Sequence, residues 1–222
     1  MVRLETAKTQ FVVKPFLDEI SKMKFREKVM GELVGIVPRK LDVSTLLDVV
    51  RKYADIMMHT MERYFVLEDT MEITDKIAQD VMKNVMKYAK ILKKDPENYE
   101  ARAEIMWCGS LSHNGLTGCG TCGGDWATHL IEHELGGMFD VAHGAGLAAV
   151  WGSWARYVMD EKPERFAQFA VDVMGVEESD DVKSTALKGI EAVEEFYRMI
   201  EMPTNMKELG IDPTDEQIKD MA

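Results

Sequence analysis

Hydrophobic residues along this chain recur mostly every three or four positions, which is the spacing of one face of an α-helix. The segment STLLDVVRKYADIMMHTMERYF shows this best, with apolar residues from Leu46 to Phe65 and Asp42 or Ser44 as its N-cap. The same spacing predicts helices in TMEITDKIAQDVMKNVMKYAKIL, ENYEARAEIMWCGSLSHNG and DDVKSTALKGIEAVEEFYRMI. The pattern therefore predicts a mainly α fold.

Proline, asparagine and glycine mark the helix ends along this pattern. Pro96 cannot continue the second helix, and Asn114 with Gly115 ends the third. Pro163 opens a helix over PERFAQFAVDVMG, and Thr214 caps the last segment, TDEQIKDMA. Strand-like alternation is limited to TQFVVKPF and GELVGIVP. We therefore expect one compact, helical bundle-like domain.

A glycine-rich segment, LTGCGTCGGD, separates two of the predicted helices. The helix after it is expected to begin near Trp126, with Asp125 as its N-cap, and to end around residues 136–137. A further helix follows over LAAVWGSWARYVM. The segment matches G-x-G-x-x-G, but a dinucleotide-binding loop has to follow a β-strand, and here a helix is predicted. We therefore interpret it as a flexible turn.

Composition and charge narrow the class of protein. The chain has 222 residues, which fits one domain, and no apolar run is long enough for a membrane span or a signal peptide. The formal net charge of −12 opposes binding to nucleic acid, whose phosphates it would repel. Cys119 and Cys122 form a lone C-x-x-C, which we interpret as reduced, unligated thiols, with a redox or metal role as the alternative. We expect a cytoplasmic protein.

Four of the five histidines lie in two compact clusters. Asp55 and His59 are four residues apart on one predicted helix, as are His129 and His133 on another, and His143 follows. Residues four apart project from the same helical face. A carboxylate and imidazoles in an apolar setting need partners, and a divalent cation is a suitable one. The spacing predicts a transition-metal site; the alternative is histidines that are hydrogen-bonded individually, with Asp55 paired to a basic neighbour.

The sequence HLIEH, residues 129–133, also matches H-x-x-E-H, the signature of the inverted zinc peptidases. In such a peptidase both histidines would bind zinc, and Glu132 would act as the general base. That interpretation leaves Asp55, His59 and His143 without roles. A metallopeptidase therefore stays as a distant alternative.

Four longer segments together resemble the iron-containing (group III) alcohol dehydrogenases, and among them the butanol dehydrogenases. They are ADIMMHTMERYF, ENYEARAEIMWCGSLSHNGL, DWATHLIEHELGGMFDVAHGAGLAAVWGSWARYV and PERFAQFAVDVMGV. The pattern D-x-x-x-H followed by H-x-x-x-H-x9-H is specific to that family. The resemblance implies that residues 54–222 form its helical metal-binding domain, whereas residues 1–53, mainly helical by pattern, do not match it.

The resemblance also implies a role for each residue of the histidine clusters. It implies that one Fe²⁺ or Zn²⁺ is bound by Asp55, His59, His129 and His143. His133 would instead lie near the nicotinamide and the reacting carbon, and Asp125 and Trp126 would shape the entrance. The metal would polarise the oxygen of a small alcohol while hydride passes to NAD(P)⁺, and aldehyde reduction would be the reverse reaction.

The sequence departs from the family in its nucleotide-binding part. Family members carry a G-G-G-S-type phosphate loop ahead of the helical domain, and this sequence contains no such loop. We therefore expect a chain without the nucleotide-binding domain, and a non-catalytic metal-binding module is the competing hypothesis. Surfaces that would have met that domain are expected to favour a homo-oligomer.

Overall fold

The fold is α-helical throughout the part of the chain that the structure describes. The structure is a computed structural model that describes residues 43–67 and 71–221, with side chains from residue 52 onward. The helices are α1 (Val43–Tyr64), α2 (Glu72–Lys94), α3 (Tyr99–His113), α4 (Ala127–Phe139), α5 (His143–Val158), α6 (Pro163–Asp172), α7 (Val182–Met199), α8 (Met206–Leu209) and α9 (Asp215–Asp220). These ranges contain no β-strand, so the predicted fold class is confirmed.

Two predictions fall on residues outside those ranges. Both strand candidates, TQFVVKPF and GELVGIVP, lie there, and so does most of the predicted N-terminal segment 1–53. Within the described residues, no helix combines the length and the apolar character that crossing a membrane requires.

The hydrophobic core is built around α1, which packs against α2, α3 and α5. Met57 and Met61 of α1 are fully buried, as is Trp151 of α5. Burial of each such side chain contributes about 1.5–3 kcal/mol relative to exposure. Elsewhere in the core α6 packs closely on α7, because a Cβ atom at Gly189 would lie 2.5 Å from the Cβ atom of Ala170. The core thus fixes the position of α1, which carries two of the predicted site residues.

Several predicted helix ends are confirmed. Asn114 is the C-cap of α3, and Pro163 is the first residue of α6. Thr214 caps α9 in a capping box with Gln217, in which each side chain bonds to the other residue's backbone N–H. The short helix α8 was not predicted.

The helices that carry the other site residues have ends that differ from the prediction. α4 continues past the predicted end at residues 136–137 to Phe139, and Asp140 then adopts a left-handed conformation with φ 52°. α5 begins at His143 rather than at Leu147. The link between the two helices is therefore short, and it places His143 beside α4.

The start of α4 also corrects a prediction. The cap position belongs to Trp126, with φ 62°, and not to Asp125. Asp125 nevertheless supplies a hydrogen bond there, because its carboxylate accepts from the backbone N–H of Ala127 at 3.1 Å.

Candidate metal centre

One face of α1 carries three side chains with metal-site chemistry. Asp55, His59 and Glu62 are separated by four and three residues, so they form a single stripe along the helix. Asp55 and His59 are partly buried, and Glu62 is fully buried. This stripe faces the start of α4, where the backbone N–H of His129 donates to Glu62 Oε1 at 3.0 Å.

Three imidazoles converge on one oxygen of Asp55. The Nε2 atoms lie 3.4, 3.6 and 3.5 Å from Asp55 Oδ1, for His59, His129 and His143 in that order. Ligands bound about 2.0–2.1 Å from a tetrahedral zinc ion lie roughly 3.3 Å from one another. The structure thus brings together the four residues that the family resemblance assigned to the metal. We call these four residues the Asp55 centre.

Two atoms at the middle of the Asp55 centre lack hydrogen-bond partners. Asp55 Oδ1 and His129 Nε2 are buried, and neither has a partner among the described residues. An unpartnered buried polar atom costs about 1–3 kcal/mol, which a cation placed between these atoms would remove. One carboxylate oxygen with three imidazole nitrogens is a donor set that suits Fe²⁺ or Zn²⁺. The residues present therefore fit such an ion.

Two buried glutamates orient two of the imidazoles. Glu62 Oε2 contacts Nδ1 of His129, and Glu132 Oε2 contacts Nδ1 of His143. Metal-binding histidines usually donate the second ring N–H to a carboxylate, which fixes the tautomer and the direction of the free nitrogen. Both Nε2 atoms are thereby directed at Asp55. This role of the two glutamates was not predicted from the sequence.

Two glycines allow the chain to close around these glutamates. A Cβ atom at Gly146 would lie 2.8 Å from Glu132 Oε1, which is too close for a real side chain. Gly124 has φ +101°, and a Cβ atom there would lie 2.9 Å from the carbonyl oxygen of Glu62. Larger residues at either position would displace the backbone or the orienting carboxylate.

The groups of the Asp55 centre change each other's protonation. Burial would raise the pKa of Asp55, but the nearby imidazoles, that of His129 above all, lower it overall. Burial lowers the pKa of His59 to about 4, so this imidazole is neutral at pH 7. Burial opposes the charge on His129 too, but Asp55 and Glu62 raise its pKa to about 9. A metal ion must therefore displace a proton from His129.

His133 lies beside the Asp55 centre rather than within it. Its ring centroid is 5.5 Å from that of His143 and 6.2 Å from that of His129, and the side chain is exposed. Glu132, His133 and His143 have donor atoms within 4.8 Å of one another. A peptidase would need a free Glu132 as base, yet this carboxylate is buried against His143. The geometry favours the view that H-x-x-E-H is coincidental here.

Trp126, which the family resemblance assigns to the entrance, borders the Asp55 centre. Its ring centroid lies 5.2 Å from that of His59 and 5.3 Å from that of His129. The guanidinium of Arg63 lies 4.7 Å from the centroid of the Trp126 ring, in a cation–π contact. Asp125 instead contributes to the start of α4. The indole thus covers one side of the imidazole cluster.

Comparison with known proteins gives a consistent set of relatives. Residues 50–222 match the family described as Fe-containing alcohol dehydrogenase family, C-terminal. NADH-dependent butanol dehydrogenase A of Clostridium acetobutylicum is 35% identical over 159 residues, which is 71% of this chain and 41% of that protein. NADPH-dependent aldehyde reductase YqhD of Escherichia coli is 33% identical, with 71% of this chain and 40% of that protein covered.

A solved structure gives the same result for the fold. The crystal structure of NADH-dependent butanol dehydrogenase A from Thermotoga maritima superposes with a TM-score of 0.72 and 36% identity, covering 78% of this chain and 42% of that one. The chain therefore spans about two fifths of the length of these relatives.

Proposed function

Because the chain belongs to the iron-containing alcohol dehydrogenase family, we propose that its helical part is the metal-binding half of an enzyme that interconverts small alcohols and aldehydes with NAD(P). The observation that carries the proposal is the convergence of three Nε2 atoms on the unpartnered Oδ1 of Asp55. The relatives named as butanol dehydrogenase and aldehyde reductase support the substrate class.

We assign Fe²⁺ or Zn²⁺ to the Asp55 centre, since its nitrogen and oxygen donors serve both ions. A bound ion of this kind is a Lewis acid for the oxygen of an alcohol or aldehyde. Glu62 and Glu132 hold His129 and His143 in the orientation that binding requires. Their buried negative charges also favour a cation nearby.

The residues around the metal centre would receive the substrate and the cofactor. We assign the exposed His133 to the nicotinamide and the reacting carbon, because it lies next to His143 and outside the Asp55 centre. Trp126 would keep water away from the side of the centre that it covers. The pyrophosphate of NAD(P) would be held by a nucleotide-binding unit that completes the site.

Metal analysis of single variants tests the ligand assignment. The purified protein is expected to carry about one metal ion per chain, as a single four-ligand site requires. His59→Ala should lose the metal, and His133→Ala should keep it. The peptidase interpretation predicts the reverse for both variants, so that outcome would overturn the assignment.

Oxidation of NADH or NADPH with butyraldehyde tests catalysis. We expect turnover in the presence of a nucleotide-binding unit and loss of turnover in the metal-free His59→Ala variant. A protein that is loaded with metal but shows no turnover and no nicotinamide binding in a titration would instead be a metal-binding module.

A further inference from the structure

His113, the last residue of α3, lies beside the Asp55 centre although the metal-ligand pattern gives it no role. Its Nε2 atom is 3.3 Å from Asp55 Oδ2, and its ring centroid is 4.0 Å from that of His59. The other three imidazoles approach Oδ1, whereas His113 approaches the second carboxylate oxygen.

The opposite edge of the His113 ring is fixed to α3. Its Nδ1 atom lies 2.8 Å from Ser112 Oγ and 2.9 Å from the carbonyl oxygen of Gly109. In the neutral tautomer with its proton on Nε2, Nδ1 accepts from the serine hydroxyl, and Nε2–H can donate to Asp55.

We infer that His113 is a positioning residue that makes Asp55 bind metal through Oδ1 alone. This inference rests on the metal site proposed above. A carboxylate can bind an ion through one oxygen or through both, and a hydrogen bond from His113 occupies Oδ2. Binding through one oxygen leaves a coordination position open for the oxygen of a substrate, which a catalytic site requires.

Two variants separate the hydrogen bond from the ring contact. His113→Gln keeps an N–H donor at a similar reach, and His113→Phe keeps an aromatic ring but has no donor. Ser110→Ala is the matched control, because Ser110 is exposed on the same helix and bonds to the Met106 carbonyl oxygen. His113 is itself exposed, so these changes leave the hydrophobic core intact.

The experiment loads each full-length protein with Co²⁺ and measures two quantities. One is the dissociation constant by competition with a chelator, and the other is the visible absorption, which is stronger for four-coordinate than for five-coordinate Co²⁺. We expect His113→Phe to weaken binding by about tenfold or more and to lower the absorption per bound ion. His113→Gln and Ser110→Ala should match the wild type in both.

Each outcome bears on one of the two proposals. Wild-type affinity and absorption in His113→Phe would overturn the role of His113 and leave the metal site standing. Equal losses in His113→Phe and His113→Gln would also overturn it, because the donor would then be irrelevant. A wild-type protein that does not bind Co²⁺ would refute the metal site itself. If the phenylalanine variant does not fold, His113→Ala is compared with His113→Gln, because both lack the ring and only glutamine keeps the donor.

Discussion

Replacing Glu62 with glutamine should weaken metal binding without unfolding the protein. Glu62 is fully buried and uses both carboxylate oxygens on His129, one for the backbone N–H at 3.0 Å and one for Nδ1. Glutamine has the same shape but only one acceptor oxygen and no charge. The variant can therefore keep one of these hydrogen bonds, and the imidazole loses the partner that fixes its tautomer.

The expected size of the effect follows from the hydrogen bond that is lost. A hydrogen bond to a charged group contributes about 1.5–3 kcal/mol. Each 1.4 kcal/mol changes a dissociation constant about tenfold, so Glu62→Gln should weaken binding about 10- to 100-fold. Replacing carboxylates that orient metal ligands has effects of about the same size. In the metal-free protein the variant leaves the charged His129 with one carboxylate partner fewer, so some loss of stability is expected as well.

The assay is competition for Zn²⁺ between the protein and a fluorescent chelator, with circular dichroism as the check on folding. Glu194→Gln is the matched control, since Glu194 is a largely buried carboxylate paired with Arg156 on another part of the fold. The Glu194→Gln variant should bind Zn²⁺ like the wild type. Unchanged affinity in Glu62→Gln would show that this carboxylate does not orient His129.

Three further predictions follow from the same geometry. Because the pKa of His129 is raised to about 9, metal uptake at pH 7 should release about one proton, and the affinity for the metal should rise about tenfold per pH unit below that pKa. Calorimetry in two buffers measures the number of protons released, and metal uptake without proton release would contradict the prediction. Gly146→Ala should displace Glu132 and weaken Zn²⁺ binding about tenfold or more. Gly137→Ala should not, because an added Cβ atom there meets nothing within 4 Å. If chelator competition gives both variants the same affinity for Zn²⁺, the role of Glu132 is contradicted. Leu147→Ala should lower the free energy of unfolding by about 2–5 kcal/mol in urea denaturation, because Leu147 is fully buried. A loss under about 1 kcal/mol would contradict the burial of Leu147 in the hydrophobic core.

Helical spacing made part of the metal site predictable. Asp55 and His59, like His129 and His133, are ligand-type pairs at a separation of four, and this needs no knowledge of the fold. The partners of these pairs come from other helices, and spacing within one helix says nothing about them. Glu62 was therefore missed, although it lies three residues after His59 on the same face of α1.

The ends of α4 and α5 show why local signals were insufficient elsewhere. Two consecutive glycines at 136–137 favour a helix end, but α4 continues through them to Phe139, with Asp140 as its C-cap. Aspartate tolerates the left-handed conformation less well than glycine, so it is a weaker stop signal in sequence. The contact of Glu132 with His143, which spans the two helices, depends on this later end.

Anomalous diffraction from crystals of the metal-loaded protein locates the bound ion itself. We expect one anomalous peak per chain, bonded to Asp55 Oδ1 and to three Nε2 atoms of the Asp55 centre. A peak bonded to Glu132 and His133 instead, with Asp55 unbound, would contradict it.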